Sequence, residues 1–459
     1  MVSEGGTELF EGLAEQVVPE PVGRGLARVR IPVRDQVAVH WLTLDEWLPA
    51  DHRARLVWSF VEKLDLLELY QAIKAIEGRP GHPACDPRLL VALWLYATLE
   101  QVGSARVLAR LCGEHLGFRW LCGGVSMNHH TLSDFRVAHP EILERLLAQS
   151  FAACLHAGVA DLERVAQDGV RVRASAGAAS FRRQRTLEEC HKLAKAEVAR
   201  LRAELEGNPA AGTRRQRAAQ ERAARERAAR IGAALQAVEA LAARQPRQQA
   251  EPPQPQPDLP PPGGAAGKKP APPRASTTDV DARVMKMADG GFRPAFNVQL
   301  ATATGSQLIA AVSIGNVGSD QGQLAPMVEQ VAERYGRRPS TMLVDGGFTK
   351  LADIEAMAQG GTVVYAPVPQ PKDPGRDPHA PLPGDTAAIA AWRIRMGSDA
   401  AKQIYKDRAA TAECVNALAR NRGLQRFFVR GLAKAKAVVL WFALAHNLMR
   451  ALSLGAATT

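Results

Sequence analysis

At residue 164 the spacing of apolar side chains changes, and no single architecture accommodates both halves of the chain. From about residue 50 to 158 apolar residues recur at helical intervals. DPRLLVALWLYATLEQV begins on an Asp86-Pro87 cap and carries a broad apolar face, and SARVLARLCGEHLGF follows the break at Gly103. TLSDFRVAHPEILERLLAQSFAACLHAG opens with Thr131 and Asp134 at capping-box spacing. This predicts an all-α unit with turns short enough for helix-turn-helix geometry, compatible with a plain bundle or with DNA binding. In RVAQDGVRVRASA, by contrast, Asp168, Val170, Val172 and Ala174 alternate with Gly169, Arg171 and Arg173, which predicts a strand with one apolar and one basic face. The carboxylate of Asp168 then lies in line with valines, a costly position unless a cation compensates it.

That strand is cut off from its continuation. Residues 182–248 hold ECHKLAKAEVARLRAELEG and RRQRAAQERAARERAARIGAALQAVEALAARQ, two Ala-rich helical stretches joined by NPAAGT, which predict a helical hairpin. Residues 182 to 247 carry 16 Lys and Arg against 8 Asp and Glu, most of the excess charge of the chain. Such a run is either a solvated helix face or a phosphate-contacting one. QAEPPQPQPDLPPPGGAAGKKPAPPRAS, within residues 249–278, is too rich in Pro and Gly for a core and reads as a disordered linker. Strand signals resume near 279. FRPAFNVQLATAT and SQLIAAVSIG predict a hairpin, DQGQLAPMVEQVAERYG and KLADIEAMAQGG helices, and STMLVDGGF and TVVYAP strands, before a last set of helices. The fold class expected is α/β: a mixed sheet with flanking helices, preceded by an all-α N-terminal domain and interrupted by a helical-hairpin insertion.

Charge narrows the partners. With 58 Lys+Arg against 47 Asp+Glu the chain carries +11, which favours a polyanion. Six scattered cysteines form no CxxC pair, so neither a zinc site nor a disulfide framework is indicated, and a reducing cytoplasmic setting fits. The start, MVSEGGTELFEG, lacks the basic and apolar regions of a signal peptide. In AVVLWFALAHNLMRALSL, His446, Asn447 and Arg450 would be costly in lipid, so the run reads as a core helix and no membrane partner is expected.

Three carboxylates stand out. Asp345 follows Met342, Leu343 and Val344 at the carboxyl end of a strand, where open α/β sheets place ligands, although an Asp-Gly pair also simply opens turns. Asp168 has the same two readings. In YKDRAATAEC, an α-helical phase puts Glu413 and Arg420 two turns apart on nearly one face, Tyr405 about 80° away and Arg408 further round. Small neighbours, Ala409, Ala410, Asn416 and Ala417, would leave the Glu413 carboxylate accessible, while the alternative is an inert solvated helix face. Two strand-end aspartates and a helical glutamate suit Mg²⁺, with Mn²⁺ as a substitute, and an all-oxygen site of this kind supports phosphodiester chemistry without a covalent protein intermediate.

In this order, DGVRVRASA, GGFRPAFNVQLAT, NVGSDQGQLAPM, LVDGGF and Y-x2-R-x4-E resemble the DDE transposases of bacterial insertion sequences, whose catalytic domain is RNase H-like. The likeness runs from about residue 50 to 452, apart from the insertion, and includes MNHHTLSDFR. It implies Asp168, Asp345 and Glu413 as catalytic metal ligands, and Tyr405 and Arg408 as residues orienting DNA near the cut. Arg420 stands where the signature usually has lysine, and four residues separate Arg408 from Glu413 where better-known relatives have three. The implied layout is an N-terminal segment (1–49), a helical DNA-binding domain (50–160), the RNase H-like domain (161–181 and 279–455), a basic hairpin (182–248) and a linker (249–278).

The implied partners are double-stranded DNA, both element ends and target, and further copies of the chain in a homodimer or larger complex, in a nucleoid-associated bacterial setting. A retired transposase kept as a DNA-binding regulator is the alternative, which the intact acidic residues oppose. A tyrosine recombinase using Tyr405 would need an upstream His-x-x-Arg, whereas His446 and Arg450 follow the tyrosine at the wrong spacing.

Overall fold

The computed structural model describes residues 41–75, 83–207, 214–244, 272–371 and 375–455, and the chain divides into two units, Met1–Glu46 and Trp47–Thr459. Of the first, residues 41–46 are described, a turn in which Glu46 accepts hydrogen bonds from the backbone and hydroxyl of Thr43. The second opens with seven helices: α1 (Arg53–Glu62), α2 (Leu67–Gln71), α3 (Pro87–Leu99), α4 (Ala105–Glu114), α5 (Leu116–Cys122), α6 (His129–Ala138) and α7 (Pro140–His156). Asp86 caps α3 by accepting from the Arg88 N–H, and Pro87 fits its first turn. Apolar almost all round, α3 is buried on nearly every side. The start of α6 differs from expectation. Asn128 accepts from the His130 N–H and caps the helix, so Thr131 lies inside the first turn.

Eight strands follow: β1 (Arg164–Arg173), the two-residue β2 (Phe181–Arg182) and β3 (Ala275–Ser276), β4 (Arg283–Lys286), β5 (Phe292–Ala303), β6 (Ile309–Gly315), β7 (Thr341–Leu343) and β8 (Val363–Tyr365). Helices α8 (Gln184–Gly207) and α9 (Arg214–Arg244) lie between β2 and β3, α10 (Leu324–Tyr335) precedes β7, and α11 (Leu351–Gln359) precedes β8. The chain closes with α12 (Ala387–Gly397), α13 (Asp399–Arg408), α14 (Cys414–Asn421) and α15 (Leu432–Ser453). In the main sheet β4 and β6 share one edge of β5, and the order continues β5, β1, β7, β8. Every pairing up to β5–β1 is antiparallel; β1–β7 and β7–β8 are parallel.

Side-chain parity on β1 and β5 sorts the layers, because successive residues of a strand point to opposite faces. Val170 and Val172 of β1, with Phe296, Val298 and Leu300 of β5, join one core with α3, α6, α7 and α15. Val165, Ala301 and Ala303 pack instead with α10, α11 and α12. The helices of residues 50–160 and one face of the sheet therefore share a continuous core. Glu144 of α7 fastens the layers, accepting from Gln330 and Arg334 of α10 and Lys436 of α15.

The two helices expected in 182–248 are α8 and α9, packed on each other through Leu187, Ala194, Ile231, Ala234 and Val238. Residues 249–271 of the expected linker lie outside the described residues. Its last part is ordered, since Ala275 and Ser276 pair with Arg182 and Phe181. Several arginines of the pair are engaged along their own helices, Arg200 with Glu197 and Glu204, Arg225 with Glu221 and Arg230 with Glu226.

Helix α15 is long and apolar enough to cross a membrane by length and composition, yet 67% of its most apolar window is buried within this fold, as expected of a core helix. His446, Asn447 and Arg450 are spent on the turn before β6 and on its first residue. Asn447 accepts from the Ile309 N–H and donates to the Ile309 carbonyl, Arg450 donates to the Ser306 carbonyl, and His446 Nε2 meets the Gln307 carbonyl. Burial pushes the His446 pKa from 6.5 down to about 4. A depressed histidine contributes stability that is full above pH 6.5 and lost as pH falls toward 4. The expected loss is about 3 kcal/mol at most. Urea midpoints measured at pH 7 and pH 4.5 should fall further for the parent than for His446→Gln, and equal falls would remove His446 from the account.

Candidate active site

Asp168 stands in mid-strand, not at a strand end as its sequence suggested. The effective end is set by a neighbour: β7 pairs only Arg164–Ala166, and beyond it that edge of β1 stays open until Arg173 bridges Arg426. A cleft of about 950 Å³ lies along this stretch. Asp168, Arg171 and Arg173 line it from β1, Lys286 and Arg293 from β4 and β5, and Glu413, Asn416 and Arg420 from the late helices.

The Asp168 carboxyl is held from three directions. Its Oδ1 accepts from its neighbour's N–H, Gly169, at 3.0 Å and from Arg408 Nη2 at 3.2 Å, and its Oδ2 accepts from Asn416 Nδ2 at 2.8 Å. Burial raises its pKa, Arg408 opposes the rise, and Asp345 and Asp320 add to it. Asp345 follows β7, accepts from the Gly347 N–H at 2.7 Å, and places Oδ2 3.7 Å from the same Arg408 Nη2. One guanidinium nitrogen thus serves two carboxylates.

Arg408 sits inside rather than facing outward, its side chain 12% exposed. The α-helical phase placed it off the Glu413 face. Between them, however, Ala409–Glu413 form a π-turn. On an α-helix residues five apart stand about 140° apart round the axis, whereas the i→i+5 pattern of a π-turn stacks them. The fourth residue of the Arg-to-Glu spacing is absorbed here, and Gln307 Nε2 donates to the Ala410 carbonyl in the turn.

Tyr405 also turns inward. Its hydroxyl donates to the Val344 carbonyl at 3.0 Å and burial raises its pKa, so it braces the strand end that carries Asp345 and is badly placed to act as a nucleophile. Glu413 and Arg420 are exposed on the cleft wall, as the sequence suggested.

Two residues escaped the sequence reading. Asn416, counted only as a small neighbour of Glu413, anchors Asp168; its signal was being the one amide on an otherwise alanine face. Asp320, within a segment read as a helix start, is buried against the sheet, accepting from Asn297 and Gln299. Its signal was an acid ahead of the helix whose first turn it does not cap.

The donor set suits a divalent cation in part. Asp168 and Asp345 converge on a positive charge, and Mg²⁺ commonly takes one or two carboxylates and completes its shell with water and substrate oxygens, so this pair fits. Among the described residues no three of His, Cys, Asp and Glu are grouped closely enough to hold an ion, so the expected cluster of three carboxylates is not assembled. Arg408 and Asn416 occupy the space around Asp168, and Glu413 remains on the wall.

Two family models match the chain: a Transposase domain (DUF772) over residues 42–138 and a Transposase DDE domain over residues 385–452. The first covers α1 to α6, and the second covers α12 to α15 with Tyr405, Arg408, Glu413 and Arg420. No curated protein and no solved structure matches. The transposase models match the helical start of the chain and the late helices that line its cleft, and together they support a DDE transposase of the insertion-sequence type.

Proposed function

We propose that this transposase binds the terminal inverted repeats of its own element, hydrolyses the phosphodiester at each element end and joins the freed 3′-hydroxyl to target DNA. The observation that carries this reading is the convergence of Asp168 and Asp345 on Arg408 at the open edge of β1, with Asp168 itself lining a cleft that has basic walls. The sheet supports an RNase H-like catalytic domain, with antiparallel β6, β5 and β1 continuing into parallel β7 and β8, an acid on the central strand and a second just past its parallel neighbour.

Asp168 and Asp345 would hold a divalent cation, Mg²⁺ or Mn²⁺, with Glu413 as the third carboxylate. Bound there, the ion would neutralise charge at the scissile phosphate and lower the pKa of the attacking hydroxyl. Arg408 balances the two carboxylates, and Asn416 fixes the plane of the Asp168 carboxyl. Tyr405 holds the Asp345 loop in register with β1. Arg420, Arg173 and Lys286 contact the DNA backbone along the cleft. The helices of residues 50–160 form the domain that reads the element ends, and exposed arginines of α8 and α9 add sequence-independent phosphate contacts, weakened where glutamates already engage them. Pairing of two element ends calls for a dimer or larger assembly on DNA, in the bacterial cytoplasm at the nucleoid.

The test is nicking of a labelled duplex that carries one element end. The parent cuts with Mg²⁺, and Asp345→Ala and Glu413→Gln each lose about a hundredfold or more. Cutting at the parental rate by either variant would show that the triad is wrong. The unassembled third carboxylate favours one other reading, a retired regulator, in which the parent binds the duplex and cuts nothing in Mg²⁺ or Mn²⁺.

A further inference from the structure

We infer a second, prebuilt phosphate subsite in the cleft, formed by Arg171 and held in place by Asp320, for a backbone phosphodiester of the DNA strand being cut. The inference rests on the proposal that the cleft takes DNA. Arg171 lies three residues beyond Asp168 on the same strand, about 10 Å along it. Their side chains leave β1 on opposite faces, but both line the cleft because the strand edge is open.

Beneath Arg171 is a polar network in an otherwise apolar layer. Gln167, Gln299 and Asn297 are 0%, 1% and 2% exposed, and Asp320 is 8% exposed. Gln167 Nε2 donates to Gln299 Oε1 at 3.1 Å and to the Gln323 carbonyl. Gln299 Nε2 and Asn297 Nδ2 each donate to Asp320 Oδ1 at 2.7 Å. The free oxygen, Asp320 Oδ2, takes Arg171 Nη2 at 3.2 Å, and the Gly318 carbonyl takes the same nitrogen at 2.7 Å.

Four buried polar side chains are a costly way to fill a core, and leucines would do it at lower risk. What they achieve is orientation. Asp320 receives two amide donors on one oxygen, so its other oxygen has a fixed direction and pins one corner of the Arg171 fork. Gly169 is part of the device, because a Cβ there would strike Asp320 Oδ1 and Gln299 Nε2. A guanidinium has five N–H donors in one plane. With Nη2 anchored, Nε and Nη1 have no partner among the described residues and remain for the cleft, where the side chain is 29% exposed. Nε and Nη1 diverge on either side of Cδ and form no fork, so the Nη1 N–H, aimed by the Nη2 anchor, is a single charge-assisted donor for one phosphate oxygen. Arg293, on the same wall, is engaged by Asp289 on its own strand turn and lacks such a support.

The experiment pairs protein variants with duplexes in which single phosphates near the cut are replaced, one at a time, by neutral methylphosphonate. For the parent, neutralising one phosphate a few nucleotides from the cut weakens binding about tenfold, the scale of one charge-assisted hydrogen bond. Arg171→Gln weakens binding to the natural duplex by a similar factor and is indifferent to that one replacement, while remaining sensitive to the others. Asp320→Asn behaves like a partial Arg171 variant: KM rises several-fold, kcat is nearly unchanged, and sensitivity to the key phosphate is reduced. Arg171→Lys restores charge but not the aimed Nη1 donor, and recovers only part of the loss. If the losses from Arg171→Gln and from every single neutral phosphate multiply independently, Arg171 touches no phosphate and the inference is overturned. If no replacement anywhere near the cut affects the parent, it is the placement of DNA in the cleft that fails.

Discussion

Asp168→Asn abolishes cutting of an element-end duplex, by about a thousandfold or more, while the protein melts at or above the parental temperature. The two halves of that expectation have one cause. The carboxyl is buried on a strand, and burial together with Asp345 and Asp320 holds its pKa up, so its ionised form is destabilised in the fold. A group whose folded pKa is raised contributes most at low pH, and that contribution is lost as pH rises through the folded value. At pH 7 the parent therefore bears the cost of an ionised buried carboxylate, and the amide does not. The asparagine Oδ1 still accepts from the Gly169 N–H, and its amide nitrogen donates to Asn416 once the Asn416 amide flips, so the strand stays in place. Arg408 keeps Asp345 as a partner. What disappears is the negative charge that a divalent cation would need, and an amide is a poor substitute for it. The measurement is nicking rate beside a melting curve at pH 5 and pH 8. Cutting within tenfold of the parent would remove Asp168 from the chemistry, and a large drop in melting temperature would show that its role is structural.

Deleting one residue inside a functional helix usually destroys it, because everything downstream rotates by about 100°. Deleting Ala410 should instead leave nicking within about tenfold of the parent. The π-turn of Ala409–Glu413 already holds one residue more than an α-helix needs, so its removal closes the turn into regular helix and leaves Glu413 stacked over Arg408 at the i+4 position. The cost is one exposed hydrogen bond from Gln307 to the Ala410 carbonyl, worth little in water. Deleting Lys406, also exposed and only four residues away, should cost at least about a hundredfold. There the missing residue lies between Tyr405 and Arg408, and the guanidinium swings away from Asp168 and Asp345 while Tyr405 stays on Val344. Equal loss in the two deletions would refute the stacking of Arg408 with Glu413.

These two cases also separate what the sequence made legible from what it did not. Local period carries far: β1, β5, β6 and α10 follow from alternation or helical spacing over ten or so residues, and His446, Asn447 and Arg450 marked α15 as a core helix. The acidic residues were legible as types and in order. Their setting was not, because it depends on partners distant in sequence. Asp168 reads as a strand end only if its own strand stops, whereas here β1 continues and β7 stops. Asn416 reaches Asp168 across 248 residues, which no spacing rule connects. AATAE contains nothing that distinguishes a π-turn from an α-turn, so phase counted at 100° per residue put Arg408 on the wrong side. Tyr405 is an ordinary amphipathic tyrosine in sequence, and only the height of Val344 beside α13 decides that it faces inward.

The two-residue pairing of β2 with β3 has a consequence for how the chain acquires its centre. Gln167 and Gln299, diagonal neighbours across β1 and β5 joined through their side chains, are 132 residues apart, and contacts of such separation form slowly because a long loop must close first. Ser180 and Ser276, at the foot of the inserted helices, are joined by a 2.7 Å hydroxyl contact across 96 of those residues. During synthesis β1 emerges long before β5 and has no antiparallel partner to cover its valines. A helix pair that folds on local ion pairs and clips its own ends together would shorten the remaining search to a few dozen residues. The insertion would then act in time as well as in space, as a temporary bridge that brings the two halves of the acidic strand's sheet within reach before either is complete.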